Sequence, residues 1–266
     1  MSANSGRAWT VRSMDVGRDR RALLDANRLM VHPTSARVVL EGLRHSADSG
    51  PDITRVIMTD PALSASVMRA ANAAHLGYSR RIGGIRQASV MLGGQLVGSL
   101  AAGRVADLIF DTAAPDYPDW LWLHSLAVAC SSSVIARHVG ESVDEAFTAG
   151  LLHDIGWLLA SSNGVGDPDI DHAGAGAALL ARWNLPDRIV SAVQQHHTRP
   201  GGLTAPLDRI VGAAHAYAAA LGAPTSERSM TTAEATQLVN LGDVRQAALL
   251  GEIEAELTTL TSELTS

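Results

Sequence analysis

Helical periodicity runs through almost the whole chain, and no stretch alternates apolar and polar residues long enough to build a sheet. Alanine is frequent, β-branched runs are short, and helix-cap residues rather than hairpin dipeptides punctuate the sequence. Asp60-Pro61 is the clearest helix start. The Asp60 side chain can accept from the first unpaired N–H groups, and Pro61 sits where its missing donor costs nothing. Leu63, Val67, Ala70, Ala71 and Ala74 then recur at helical spacing until Gly77. Similar signals predict helices near Ser35–Arg44, Asp52–Thr59, Gln95–Phe110, Asp119–His138, Asp144–Ala160, Asp171–Trp183, Pro186–His196 and Leu207–Leu221. The expected fold is therefore all-α.

At 266 residues the chain can form one or two domains. Prolines and aspartates collect from Asp111 to Pro118, which marks a linker between two helical lobes. Charge divides at the same place. Through Thr112 there are fourteen Arg against nine Asp and Glu, from Ala113 to Thr225 five against eleven, and from Ser226 onward two against seven. A basic lobe binds nucleic acid when its cations cluster or interleave with aromatic residues. Only Arg80, Arg81 and Arg86 form a compact group, so a solvated surface or a docking face for acidic groups is expected, and nucleic acid is not.

The last helical pattern, near Asp243–Leu264, carries Leu250, Ile253, Leu257, Leu260 and Leu264 at heptad spacing with glutamates around them. Two repeats fall short of the three or four heptads a coiled coil needs, so this helix is expected to pack on its own domain. The longest uncharged stretches, Gln87–Gly103 and Trp120–Ala136, are shorter than the roughly 20 apolar residues of a membrane span and contain Gly, Gln, Ser or His. Met1–Arg21 lacks the apolar core of a signal peptide. A cytoplasmic location without membrane contact follows as the expectation.

Composition removes several chemistries. All 21 basic residues are arginine, so the chain offers no P-loop lysine and no Schiff-base lysine. One cysteine, Cys130, cannot build a disulfide framework or a cysteine-rich zinc site. Histidine points the other way: there are ten, and seven of them, at positions 124, 138, 153, 172, 196, 197 and 215, fall in the acidic second lobe. A divalent ion that activates water needs imidazoles and carboxylates brought together from several helices, and His153-Asp154 followed by Gly156 can present both groups from one helix bend. His138 lies near the end of its helix, where a cation suits the dipole, and is expected to stay out of such a site.

Leu123-His124-Ser125-Leu126-Ala127-Val128, followed by Ala149-Gly150-Leu151-Leu152-His153-Asp154-Ile155-Gly156, closely resembles the HD superfamily of metal-dependent phosphohydrolases. Upstream, Asp60-Pro61-Ala62-Leu63 with Ala71-Asn72, Ile85-Arg86-Gln87-Ala88 and Leu92-Gly93-Gly94 resembles the first lobe of the HDOD (HD-related output domain) family. The resemblance covers about Arg28 to Leu221 and implies a two-lobed, all-α output domain of bacterial signal transduction with an HD-like bundle as its second lobe. Residues 1–27 are then an N-terminal extension, 28–112 the first lobe, 113–225 the HD-like lobe and 226–266 an acidic helical tail. Most members of that family are regulatory and have lost catalytic residues of the HD site.

The second lobe is also similar to the catalytically active HD-GYP domains. Their metal ligands correspond to His124, His153, Asp154, His172, His196 and His197, and the last, normally an aspartate, to His215 in Ala214-His215-Ala216-Tyr217. His124, His153, Asp154 and His215 would hold one ion, and His172, His196 and His197 would complete a second site; Asp154 is the candidate catalytic carboxylate. The resemblance implies iron, manganese, nickel or zinc. Two departures stand out. After His196-His197 the chain reads Thr198-Arg199-Pro200-Gly201-Gly202 in place of a Gly-Tyr-Pro loop, and the relatives' substrate lysine is absent. Arg199 or Arg209 would have to contact a phosphate instead. The expected function is a regulatory module acting through a signalling protein or nucleotide, with a metal-dependent phosphohydrolase as the alternative; the oligomeric state is left open.

Overall fold

The computed structural model of the chain describes residues 29–44, 53–74, 81–110, 117–162, 170–223, 230–241 and 246–262. Among them no strand occurs. The first group of helices is α1 (Pro33–Arg44), α2 (Ile53–Met58), α3 (Pro61–Ala74), α4 (Ile85–Leu92) and α5 (Gly94–Phe110). The second is α6 (Asp119–Val139), α7 (Val143–Leu152), α8 (Ile155–Ser162), α9 (His172–Arg182), α10 (Asp187–Gln195), α11 (Pro206–Ala220) and α12 (Thr232–Leu238), and α13 (Gln246–Ser262) follows. The extension 1–27, the expected stop at Gly77, the linker from Asp111 to Asp116 and both ends of the last predicted helix lie outside the described residues.

The α3 start forms as its sequence requires. Asp60 Oδ1 accepts from the Ala62 and Leu63 amides at 2.9 and 3.0 Å, while Oδ2 accepts from the His32 amide at 2.8 Å, so one buried carboxylate caps the helix and pins the strand of chain before α1. Near the other end of α3, Asn72 Nδ2 donates to the Met68 and Ile82 carbonyls and its Oδ1 accepts from the Ile82 amide, fixing the approach to α4.

One helix was not expected from the sequence, α4, and α12 falls within the stretch expected only as a helical tail. No side chain next to α4 in sequence caps it. Its first amides are satisfied from the second group of helices: Ile85 donates to Thr148 Oγ1 at 3.0 Å, and Arg86 and Gln87 donate to the two oxygens of Asp144 at 3.2 Å. Asp144 and Thr148 lie on α7, which packs against both α3 and α4. The buried side chains of both groups form one continuous hydrophobic cluster across this joint.

The span predicted as one helix from Asp144 to Ala160 is two, α7 and α8, parted at His153 and Asp154. Gly156 allows α8 to press on the start of α9: a Cβ there would stand 2.0 Å from the His172 carbonyl oxygen. The break turns both buried side chains of the His-Asp pair toward one centre. The terminal helix packs on α6, as expected, with Leu249 and Ile253 buried and Arg137 and His138 paired to Glu256 and Glu252 at 3.1 and 3.0 Å.

Candidate metal centre

Six helices and their ends deliver seven donor groups to one buried volume. His124 comes from α6, His153 and Asp154 from the α7–α8 break, His172 from the first turn of α9, His196 and His197 from the end of α10, and His215 from the middle of α11. All are buried except His197, which reaches the surface. Their ligand atoms fall into two groups within 4.8 Å: Asp154, His172, His196 and His197 in one, and His124, His153 and His215 in the other. His138 lies outside both and bonds Glu252 instead.

Asp154 spans the two groups. Its Oδ2 is 3.2 Å from His153 Nε2 and 3.7 Å from His124 Nε2. Its Oδ1 is 3.3 Å from His172 Nε2 and 3.4 Å from His196 Nε2. The sequence expectation named this carboxylate with His124, His153 and His215; the geometry sets it beside His172 and His196 as well.

The tautomers of two rings are set from behind. His153 Nδ1 meets the Gly150 carbonyl at 2.7 Å and His196 Nδ1 meets that of Val193 at 2.5 Å, so each N–H is spent on a carbonyl and each Nε2 lone pair turns inward. Trp157 stacks on the His172 ring at 5.0 Å between centroids and fixes its plane.

The inward nitrogens then face one another. His124 Nε2 is 3.2 Å from His153 Nε2, and His172 Nε2 is 3.3 and 2.9 Å from the Nε2 atoms of His196 and His197. At that spacing a neutral ring of each pair can donate its N–H to the other, or a cation can take both lone pairs in place of that proton. Added protons are disfavoured: burial, reinforced by the neighbouring rings, lowers His124 to about 4 and His197 and His215 to about 2, and burial lowers His196 as well. Burial pushes Asp154 up, but the imidazoles, His153 first, outweigh it and hold the carboxyl well below its usual range. His124, His196, His197 and His215 are thereby favoured as neutral imidazoles near an ionised carboxylate, the protonation states that a divalent ion requires of its ligands. Asp154 Oδ1, buried and without a hydrogen-bond donor, is a further acceptor awaiting a cation. The donor set fits a borderline transition metal rather than magnesium or calcium, because six of seven donors are imidazole.

A cavity of about 440 Å3 opens onto this centre, bordered by His197, His215, Arg199, Gly212, Met230 and Glu234 among others. Arg199 therefore stands at the site. Arg209 does not border the cavity, and its Nε donates to the Leu203 carbonyl at 3.1 Å. Met230 and Glu234 were not singled out in the sequence; they belong to the start of α12, in the segment expected as a tail, and α12 packs on α11 with the Tyr217 hydroxyl 2.7 Å from Thr236 Oγ1. The Thr231-x-x-Glu234 capping box is the sequence signal that would have located this wall.

Fold and centre together define a two-part helical protein with a histidine-rich HD-type site in its second part. Residues 29–163 match the HDOD domain and residues 121–237 the HD domain, and the chain belongs to the HDOD family. The MmoQ response regulator of Methylococcus capsulatus superimposes with a TM-score of 0.68 at 25% identity, covering 84% of this chain and 97% of that one. A virulence factor of Campylobacter jejuni shares the fold, with a TM-score of 0.61 at 19% identity over 94% of this chain and 98% of that one. In sequence, an uncharacterized Treponema pallidum protein is 27% identical over 56% of this chain, and Ribonuclease Y of Fervidobacterium nodosum is 36% identical over 36% of it. The chain spans only 34% and 18% of the length of those two relatives. No described helix is long and apolar enough to cross a membrane.

Proposed function

We propose that this chain is a cytoplasmic output module of signal transduction whose second group of helices holds divalent metal ions and offers them, through the adjoining cavity, to a nucleotide or to an acidic group of a signalling protein. The observation that carries the reading is the convergence of six imidazoles, at Nε2 separations down to 2.9 Å, around a carboxylate shared between them. Membership of the HDOD family and the likeness to a response regulator support the signalling role.

His124, His153 and His215 would hold one ion and His172, His196 and His197 the other, with Asp154 between them. Iron, manganese, nickel and zinc suit these donors. Such ions supply Lewis-acid activation of water and of phosphoryl oxygens. The chain's own residues do the rest: the Gly150 and Val193 carbonyls orient two rings, Trp157 orients a third, and Arg199 stands in the cavity wall as a cation for phosphate oxygens.

A second reading is hydrolysis of a phosphate ester at the same centre. The open cavity beside His197 and His215 and the similarity to Ribonuclease Y favour it. Metal analysis of protein purified without chelator tests the first reading, with stoichiometric metal lost in the paired His153→Ala and Asp154→Ala variant as the expected result. No bound metal would end both readings. Turnover of bis-p-nitrophenyl phosphate by the metal-loaded protein, lost in that variant, would carry the second.

A further inference from the structure

Two of the helices that end in donor groups begin at the joint with the first group of helices. α7 leads into His153 and Asp154, and α10 leads into His196 and His197. Their ten and nine residues, at about 1.5 Å each, make rods of about 15 and 14 Å. The joint and the metal centre therefore lie at opposite ends of the same two rods.

At the joint the rods are tied to the first group and to each other. Asp144, in the first turn of α7, takes the Arg86 and Gln87 amides on its two oxygens, both at 3.2 Å, and Thr148 Oγ1 takes that of Ile85 at 3.0 Å. One carboxylate thus serves two helix N-termini, its own and that of α4, and both dipoles favour its charge. Gly84, at the N-cap of α4, has no side chain to offer in its place. The approach is close: a Cβ on Gly84 would stand 1.9 Å from Asp144 Oδ2, and one on Gly83 2.6 Å from Glu145 Oε1. On α10, Asp187 pairs with Arg81 at 2.6 Å, and Arg188 reaches Glu141 and Glu145 at 2.9 Å each, holding the start of α10 against that of α7. These ion pairs are partly or largely solvated and add little strength, which leaves the Asp144 bonds as the firm connection.

We propose, on the reading that the centre holds metal, that Asp144 is a positioning residue for it: by tying α4 to the far end of α7 it sets where His153 and Asp154 stand, and metal occupancy in turn tightens the start of α4. A helix moves as a unit, so a tilt at the first turn of α7 reaches its last. The centre tolerates little of it, because ligand distances must hold to about 0.2 Å. Asp154 borders both donor groups, so a displacement at the end of α7 acts on both. Such coupling is reciprocal: the factor that the α4 clamp adds to metal affinity is the factor that metal adds to closure of the clamp. The first group of helices thereby registers whether the centre is filled.

Amide hydrogen exchange of the full chain, metal-free and loaded with manganese or zinc, reads the coupling from one side and needs no variant. Exchange at Ile85, Arg86 and Gln87 should slow at least about fivefold more than exchange at Ala62 and Leu63, whose Asp60 cap lies within the first group. Competition with a chelator reads it from the other side. Asp144→Asn keeps the size of the side chain but gives up its charge and one acceptor, and should raise the metal dissociation constant by about fivefold or more. Asp60→Asn, which alters a cap of the same kind on α3, should leave that constant within about twofold. Equal slowing at the two helix starts overturns the proposal and leaves the metal centre standing. So does a dissociation constant that Asp144→Asn leaves unchanged, or that Asp60→Asn raises as much. A chain that binds neither metal overturns the proposal and the metal centre together.

Discussion

His124 Nε2 and His153 Nε2 lie 3.2 Å apart in a fully buried pocket, and with His153 Nδ1 donating to the Gly150 carbonyl its Nε2 lone pair faces His124. A divalent ion would take a lone pair from each ring once the His124 proton sits on Nδ1, and burial favours the neutral His124 that this needs. Metal should therefore stabilise the folded chain. At a free-metal concentration one hundred times the dissociation constant the gain is about 2.7 kcal/mol, which for a domain of this size raises the thermal midpoint by roughly 5 to 11 °C. Differential scanning fluorimetry before and after chelation, then with manganese or zinc restored, measures it. A midpoint indifferent to chelator and metal would leave the inward rings without their counter-ion.

Asp154→Asn tests the shared carboxylate. Because Oδ2 faces His153 and Oδ1 faces His172, at 3.2 and 3.3 Å, the amide should weaken both ions and not one. The expected loss is about 10- to 100-fold in affinity at each, read as metal per chain after dialysis. His215→Asp is the opposite change. Added negative charge beside His124 and His153 should tighten one ion and raise its retention through dialysis.

Gly156→Ala should be among the most damaging single substitutions. A Cβ there would sit 2.0 Å from the His172 carbonyl oxygen and 2.9 Å from the Gly176 amide nitrogen, and both are backbone. Relief requires α8 and α9 to separate, which moves His172 and Trp157 together. A destabilisation of at least about 3 kcal/mol in urea denaturation is expected, with metal lost first from the His172 group.

How much of this was legible in the sequence depends on where each group finds its partner. The Asp60 cap of α3 works through amides two and three residues away, and reading the sequence locates it. The α4 cap is Asp144, 58 positions downstream of Arg86, so nothing local announces that helix. Similarly, the motif order brought the seven donors into view, but the division of Asp154 between two groups follows from the α7–α8 break, which reads as a continuous helix until α9 is packed against Gly156. Met230 and Glu234 reach the cavity only because α12 folds back on α11.

The terminal helix should be held by packing and not by its ion pairs. Ile253 and Leu249 are fully buried against α6, whereas His138–Glu252 and Arg137–Glu256 are partly solvated. Ile253→Ala is expected to cost about 2 to 4 kcal/mol, and His138→Ala less than about 1 kcal/mol. Hydrogen exchange of α13 separates the two, with amide protection reduced strongly by the first change and little by the second.

Asp60 gives the pH dependence its sign. Burial raises its carboxyl from 3.8 to about 6, against the opposing hydrogen bonds from the Leu63, His32 and Ala62 amides. A folded value above the unfolded one means that the fold prefers the neutral acid, so this contribution is complete below pH 3.8 and is lost as pH rises through about 6. The span between those values corresponds to about 3 kcal/mol. Asp60→Asn stays neutral at every pH, and it keeps the Oδ1 acceptor for Ala62 and Leu63 while turning an NH2 group toward the His32 amide. Two opposed donors should lower stability by about 1 to 3 kcal/mol at pH 4. Urea midpoints of the metal-free proteins from pH 4 to 7 should show the wild type ahead by the widest margin near pH 4, with the margin shrinking toward pH 7 as the buried wild-type carboxyl ionises. A margin constant across that range would mean that Asp60 is ionised throughout and that its three amide donors outweigh its burial.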